Sequence, residues 1–306
     1  MNRRLLATIC VAAVLAVAVT STSVLGILLD IRRTAPAAMP APAMPESAAP
    51  APTVVRIGVV SRFPPNLIYA GYQPVIDYLN ANGTNHYELR PSNNYGDAVD
   101  RLRRGEVSAS FLGAWMLRQL GRDAGLAPLL GPLNASGHSR FHDVLIVPDD
   151  SPIRSVADLA GRRVAVPSRD SWAGNWLATE ALPAVGLSAA DLDTIRHFEH
   201  HQTVVWRVLH GDFDAGVVKE SVANRYGAEG LRIAAVSGPI PGPPLVARAG
   251  DADPAVAEIR RLLLALDPAR DADARTLAAW TAEFAWGFAD VDWRDYVPAG
   301  DREDGR

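Results

Sequence analysis

A chain of 306 residues with 48% hydrophobic content can bury a core and fits one to two domains. Its formal net charge of −4 offers no electrostatic reason to propose nucleic acid as a partner, since such binders usually carry a basic face. Cys10 is the single cysteine, which excludes an intrachain disulfide and a thiol-based zinc site.

In chain order, the first segment is basic at Arg3 and Arg4 and then apolar over 5–29, broken only by Thr8 and the cluster at 20–23. Such a run exceeds a secretory h-region of about 7–15 residues and matches the roughly 20 needed to span a bilayer, so 1–29 reads as an uncleaved signal anchor. A signal peptide cut after Ala16-Val17-Ala18 is the alternative, and Ile9 before Cys10 argues against a lipoprotein. Arg32 and Arg33 follow the run, so positive charge flanks both ends and does not settle orientation. Residues 30–53 are rich in Ala and Pro and read as an extended spacer.

Beyond the spacer, 54–60 reads as a strand, and Pro74 suits the first turn of a helix carrying Val75, Ile76 and Leu79 on one face. Segments 107–112, 144–147 and 164–166 read as further strands. Helices fit 255–266, with Val256, Ile259, Leu262 and Leu266 aligned, and 275–288, with Leu277, Trp280 and Phe284 aligned. The tail, 294–306, is polar and reads as frayed. Strand-to-helix turns recur at 93–96, 111–113, 170–174 and 200–203, and Asp170 or Ser171 can cap the helix that follows the third. Each such turn presents unpaired backbone N–H groups able to hold an anion, so four helix starts are candidates to face one cleft.

Short matches in unbroken order across 55–268 resemble the phosphonate-binding periplasmic proteins, the substrate-binding components of phosphate, phosphite and phosphonate ABC importers. They include 56–60, 72–79, Asn94-Tyr95-Gly96, 105–113, 144–147 with Asp150-Ser151, 158–164, 201–205, 211–216 and 239–248. The resemblance implies an α/β, two-lobed type II periplasmic binding protein fold at 54–293, behind an N-terminal transmembrane anchor. Hinges would lie near 147–150 and 233–237, with lobe one formed by 54–147 and 237–293 and lobe two by 148–236. It also implies a domain in the periplasm or cell exterior: single-pass on the inner membrane if the anchor is kept, secreted to the periplasm if it is cut.

The same resemblance implies a ligand site partly intact and partly altered. Tyr95 matches a family tyrosine that contacts the ligand oxyanion, and Leu112 stands where an aromatic or polar residue is usual. Many members carry Ser-Thr-Ser-Gly at the lobe-two anion loop, whereas this chain reads Ser171-Trp172-Ala173-Gly174, with two side-chain donors absent and an indole added. Losing two charge-assisted hydrogen bonds of about 1.5–3 kcal/mol each would weaken affinity by roughly 10²–10⁴ unless other donors compensate. His201 matches a family histidine able to donate to an oxyanion, Gln202 replaces the acidic residue of aminoethylphosphonate binders, and Asp214 matches a family aspartate. Lys219 and Glu220 depart from the usual polar pair, and Lys219 reads either as a cation for the ligand or as a solvated side chain.

The cluster His197, Glu199, His200 and His201 lacks the helical spacing of a zinc motif, so neither metal nor cofactor is expected. No nucleophile elbow, phosphate-binding Gly-Lys-Ser/Thr loop or dinucleotide fingerprint appears, so no catalytic residue is assigned. The expected role is capture of a small oxyanion for an ABC permease. A sensor module of the same fold, read by a membrane signalling partner, is the alternative; a hydrolase has no motif to support it.

Overall fold

The structure is a computed structural model and describes residues 53–297. The expected anchor and most of the spacer therefore lie outside the described residues. Among the described residues no helix is long and apolar enough to cross a membrane.

Two sheets organise the chain. Strand β1 (Val54–Val59) leads through a short loop to helix α1 (Pro65–Asn82), followed by β2 (His86–Pro91), α2 (Tyr95–Arg103), β3 (Ala109–Phe111), α3 (Ala114–Leu120) and β4 (Leu126–Pro132). A two-residue strand β5 (Arg140–Phe141) precedes β6 (Asp143–Pro148), β7 (Arg163–Val166) and α4 (Trp172–Trp176), which continues through a π-type segment at Leu177–Ala181. Then come β8 (Thr194–His197), α5 (His201–Leu209), β9 (Ala215–Lys219), α6 (Glu220–Tyr226), β10 (Leu231–Val236), β11 (Ile240–Pro241) and β12 (Leu245–Arg248). The last elements are α7 (Pro254–Leu264), α8 (Asp271–Ala278), β13 (Phe288–Asp290) and α9 (Trp293–Tyr296).

The first sheet has the order β13-β4-β12-β3-β1-β2 and the second β10-β6-β9-β7-β8. In each, the central strands are parallel, β2 and β3 beside β1 and β8 and β9 beside β7, with antiparallel strands completing one side. Helices pack on both faces of each sheet, which gives the α/β, two-lobed architecture expected from the sequence. Strands covered on both faces read as continuous apolar runs; in antiparallel β6, Val144, Leu145, Ile146 and Val147 are all fully buried.

The first crossing between lobes differs from expectation. Val144–Val147, assigned to lobe one, lie in β6 and pair with both β9 and β10 of the second sheet. The expected hinge near 147–150 thus sits at the end of a lobe-two strand, whereas β10 ends at Val236, where lobe two was expected to end. The chain passes between the sheets earlier, beside the small ribbon in which β5 pairs with β11. Apolar runs report burial but carry no label for the sheet they enter, so the boundary falls about five residues from where it is expected.

Three helix readings also shift. Helix α1 starts at Pro65, where the missing N–H is harmless, and Pro74 falls inside it. Its buried stripe, Ile68, Tyr72, Val75, Ile76 and Leu79, follows the helical period across that proline. The aligned Leu277, Trp280 and Phe284 are buried as expected, but α8 ends at Ala278 and turns carry the chain to β13. Within the expected frayed tail, Tyr296 is buried on α9 behind a capping box made by Asp292 and Asp295.

Candidate functional site

The carboxyl ends of the parallel strands in both sheets converge on one small cavity, as expected for ligand sites of open α/β sheets. Lobe one contributes Arg62 from the loop after β1, Tyr95 from the start of α2, and Gly113 and Ala114 after β3. Lobe two contributes Asp143, Ser171, Trp172, Ala173, His201 and Lys219, while Pro241 and Pro243 come from the crossing segment. The cavity measures about 30 Å³, close to one water molecule's share of liquid volume. Two larger clefts of about 290 and 320 Å³ open beside Glu283, but neither is lined by Tyr95, Ser171 or His201.

The charged centre is Arg62, Lys219 and Glu283. Arg62 is 2% exposed, donates to both carboxylate oxygens of Glu283 at 2.8 Å, and donates to the Tyr72 hydroxyl. Lys219, at the carboxyl end of β9, reaches across to the same carboxylate with Nζ at 2.8 Å. Burial by itself would raise the Glu283 pKa, yet Arg62 and Lys219 outweigh it and hold the carboxyl down at about 2. Burial, with help from Arg62, lowers the Lys219 pKa, and Glu283 opposes the shift. Arg62 and Lys219 thus stand at the cavity wall, with Glu283 behind them as their shared partner.

His201 occupies the first position of α5 and is 1% exposed. Its Nδ1 accepts the Lys219 backbone N–H at 3.4 Å, which leaves Nε2 as the N–H donor of the neutral ring. Burial first, then Lys219 and Arg62, push its pKa well below the ordinary histidine value. This close packing of α5 on β9 needs Gly216, where a Cβ would meet Val204 at 2.6 Å.

Ser171 caps α4 as expected: its hydroxyl accepts the Gly174 N–H at 3.0 Å. The same hydroxyl donates to the Ser168 carbonyl at 2.8 Å, so both of its hydrogen-bonding roles are already engaged. Its side-chain contribution, about 1 kcal/mol for such a cap, therefore goes to helix stability. Gly174 is packed against the same loop, where a Cβ would lie 2.0 Å from the Ser168 carbonyl oxygen. Ala173 is buried at the cavity wall. Trp172 lines the cavity and crosses the lobe boundary, edge-on to Trp115 at 5.3 Å between ring centroids, with the Arg118 guanidinium 5.5 Å from its ring centre. Its indole N–H is buried without a hydrogen-bond partner.

Tyr95 is buried at the cavity, positioned by Asn94, whose side chain caps α2 by accepting from Asp97 N at 2.9 Å. Burial is the main cause that raises the Tyr95 pKa, so its hydroxyl is a protonated donor.

Gly174, whose N–H is taken by Ser171, does not line the cavity, and two further expected ligand residues stand elsewhere. Asp214 precedes β9 at the amino ends of the parallel strands, opposite the cavity, and accepts from Arg163 N at 2.8 Å and Arg163 Nη2 at 2.7 Å. Gln202 donates to the Tyr226 hydroxyl at 2.7 Å, joining α5 to α6. A strand rise of about 3.3 Å per residue separates the two ends of β9, so Lys219, five residues on, reaches the site that Asp214 was expected to reach.

Arg62, Asp143 and Glu283 escaped the sequence reading. Arg62 had a local signal, a lone cation between an apolar strand and a proline-initiated helix. Asp143 stands alone just ahead of a fully apolar strand. Glu283 had no signal, because its place depends on the turns after α8.

The model of the family described as ABC transporter, phosphonate, periplasmic substrate-binding protein matches residues 57–296. Among solved structures, a binding-protein component of an ABC phosphonate transporter from Pseudomonas aeruginosa aligns with TM-score 0.69 and 16% identity, covering 80% of this chain and 84% of that one. A Prochlorococcus marinus protein solved in complex with methylphosphonate aligns with TM-score 0.66 and 17% identity over 80% and 95% of the two chains. A Xanthomonas citri protein bound to ATP aligns with TM-score 0.59 and 22% identity over 78% and 92%. At these identities the structural likeness is one of fold. Comparison with curated proteins finds no match.

Proposed function

The chain belongs to the periplasmic substrate-binding protein family of ABC phosphonate transporters, and we propose that its cleft captures a small phosphorus oxyanion, a phosphonate, phosphite, phosphate or phosphate ester. The role is binding and delivery, with no catalytic step. The observation that carries the ligand class is the convergence of Arg62, Lys219 and the His201 ring on one cavity between the lobes. A small anion there gains charge-assisted hydrogen bonds from both lobes at once. The cavity lies between the lobes, so an anion held there touches both. Closure then follows because the ligand binds the closed arrangement better than the open one.

Trp172 and Ala173 supply fewer side-chain donors than a row of hydroxyls, and the indole favours a ligand carrying an apolar or cationic substituent. Calorimetry against phosphate, phosphite, methylphosphonate, a phosphate ester and an unrelated carboxylate tests the reading. Saturable binding of at least one phosphorus oxyanion, with none of the carboxylate, is the expected result. Failure of every phosphorus oxyanion to bind removes it.

The same reading makes residues 1–29, outside the described part, a membrane anchor, with 30–53 as its spacer. The full-length protein should then stay with the membrane fraction after alkaline wash. A soluble mature form beginning near Val19 would contradict the anchor and leave the cleft untouched.

A further inference from the structure

Capture of a bare anion leaves one buried group of the cleft unused. Asp143 opens β6, is 1% exposed, and lines the cavity beside Arg62, Tyr95, His201 and Lys219. Its backbone N–H is satisfied by the Ser237 hydroxyl at 3.0 Å, but neither carboxylate oxygen has a hydrogen-bond partner. Lys219 is its partner across the β6–β9 ladder, yet the Lys219 ammonium turns to Glu283. A buried carboxylate without donors is costly, and it calls for a hydrogen brought from outside.

We propose that Asp143 accepts a hydrogen bond from a protonated oxygen of the bound ligand, so that the cleft selects oxyanions that retain a hydroxyl, such as a phosphonate monoanion, over isosteric sulfonates that are fully ionised. The proposal rests on the oxyanion reading of the cleft and names which oxyanions it prefers. Arg62 and Lys219 supply the attraction for the anion at the cavity wall, and a single proton on a monoanion meets the single unpartnered carboxylate. A sulfonate has the same tetrahedral shape and charge but no proton to give, so its oxygens would face those of Asp143 with nothing between them.

The groups that face or act on Asp143 are Lys219 on β9, Glu180 in the continuation of α4, Tyr95 on α2, His201 on α5, and Arg62 from lobe one. Burial pushes its pKa up to about 7, opposed by Lys219 and aided by Glu180. A sulfonate can bind only when Asp143 itself carries the proton. Its affinity is therefore present below that pKa and falls about tenfold per pH unit above it.

The test compares methylphosphonate, methanesulfonate and aminomethylphosphonate on the wild type and on Asp143→Asn, whose amide can donate where the carboxylate only accepts. At pH 8, one unit above that pKa, the wild type should prefer methylphosphonate to methanesulfonate by about tenfold, and the variant should lose most of that preference by gaining methanesulfonate. Wild-type affinity for methanesulfonate should fall with rising pH, while that of the variant stays flat. The amide also removes an unpaired buried charge, so a thermal melt at pH 8 should show the variant no less stable than the wild type. If it does not fold, the wild-type pH series alone decides.

Equal wild-type affinities for methylphosphonate and methanesulfonate, unaffected by pH, would overturn the role of Asp143 and leave the oxyanion reading standing. A wild-type preference for aminomethylphosphonate that is lost in the variant would overturn it differently, by making Asp143 the partner of an ammonium group. No binding of any of the three by the wild type would remove the oxyanion reading itself, and this proposal with it.

Discussion

Glu283→Ala is expected to cost about 3–5 kcal/mol of folding stability at neutral pH, because it strips the partner from a buried cation. Arg62 makes both of its carboxylate contacts to Glu283, and Lys219 repels it. Removing the carboxylate thus leaves two buried cations facing each other. The effect should also show in acid. The Glu283 pKa is about 2 in the folded protein against an ordinary value of 4.5, a depressed carboxyl whose stabilisation is complete above 4.5 and is lost as pH falls toward 2. That difference corresponds to about 3 kcal/mol by linkage. Urea denaturation of wild type and variant at pH 7, 4.5 and 3 gives the measurement: the gap should be largest at pH 7 and narrow in acid. A variant within about 1 kcal/mol of wild type at pH 7 would mean the pair only breaks even against its own desolvation.

The elements that locate the cleft were legible because they are local. The strand at 54–60, the helix starts at Asn94 and Ser171 and the turn before His201 follow from apolar period and capping chemistry within a few residues. The lobe boundary was less so: β6 and β10 are apolar or mixed runs that fit either sheet, and only their pairing places them. Among site residues, Tyr95, Ser171, Trp172, Ala173 and His201 reach the cavity wall, whereas Gln202 and Asp214 are turned to Tyr226 and Arg163. Asp214 illustrates the physical reason. A family motif marks the strand but not which of its ends faces the ligand, and here the cation at the far end, Lys219, takes that place. Glu283 lies more than sixty positions from Lys219 along the chain, a separation that no local pattern spans.

Lys219→Met is expected to weaken oxyanion binding by about 10–100-fold, the loss of one charge-assisted hydrogen bond of about 1.5–3 kcal/mol. Methionine keeps an unbranched apolar stem against the cavity wall, and the Arg62–Glu283 pair survives, so the fold should persist. The lysine also does something Arg62 cannot. It projects from β9 in lobe two to a carboxylate of lobe one, so its 2.8 Å contact with Glu283 exists only when the lobes are together. Losing it should shift the ligand-free population toward the open arrangement, and binding must then recover that difference as well. Burial and Arg62 lower the Lys219 pKa, so the wild type should also lose affinity in alkali sooner than an exposed lysine would allow. Calorimetric titration gives the affinity, and small-angle scattering of the ligand-free protein gives the closure: the variant should be the more extended of the two, and saturating ligand should bring both to the same radius. Unchanged affinity with a more extended free protein would make Lys219 a latch between lobes that never touches the ligand. Weaker affinity with unchanged dimensions would make it a ligand contact alone.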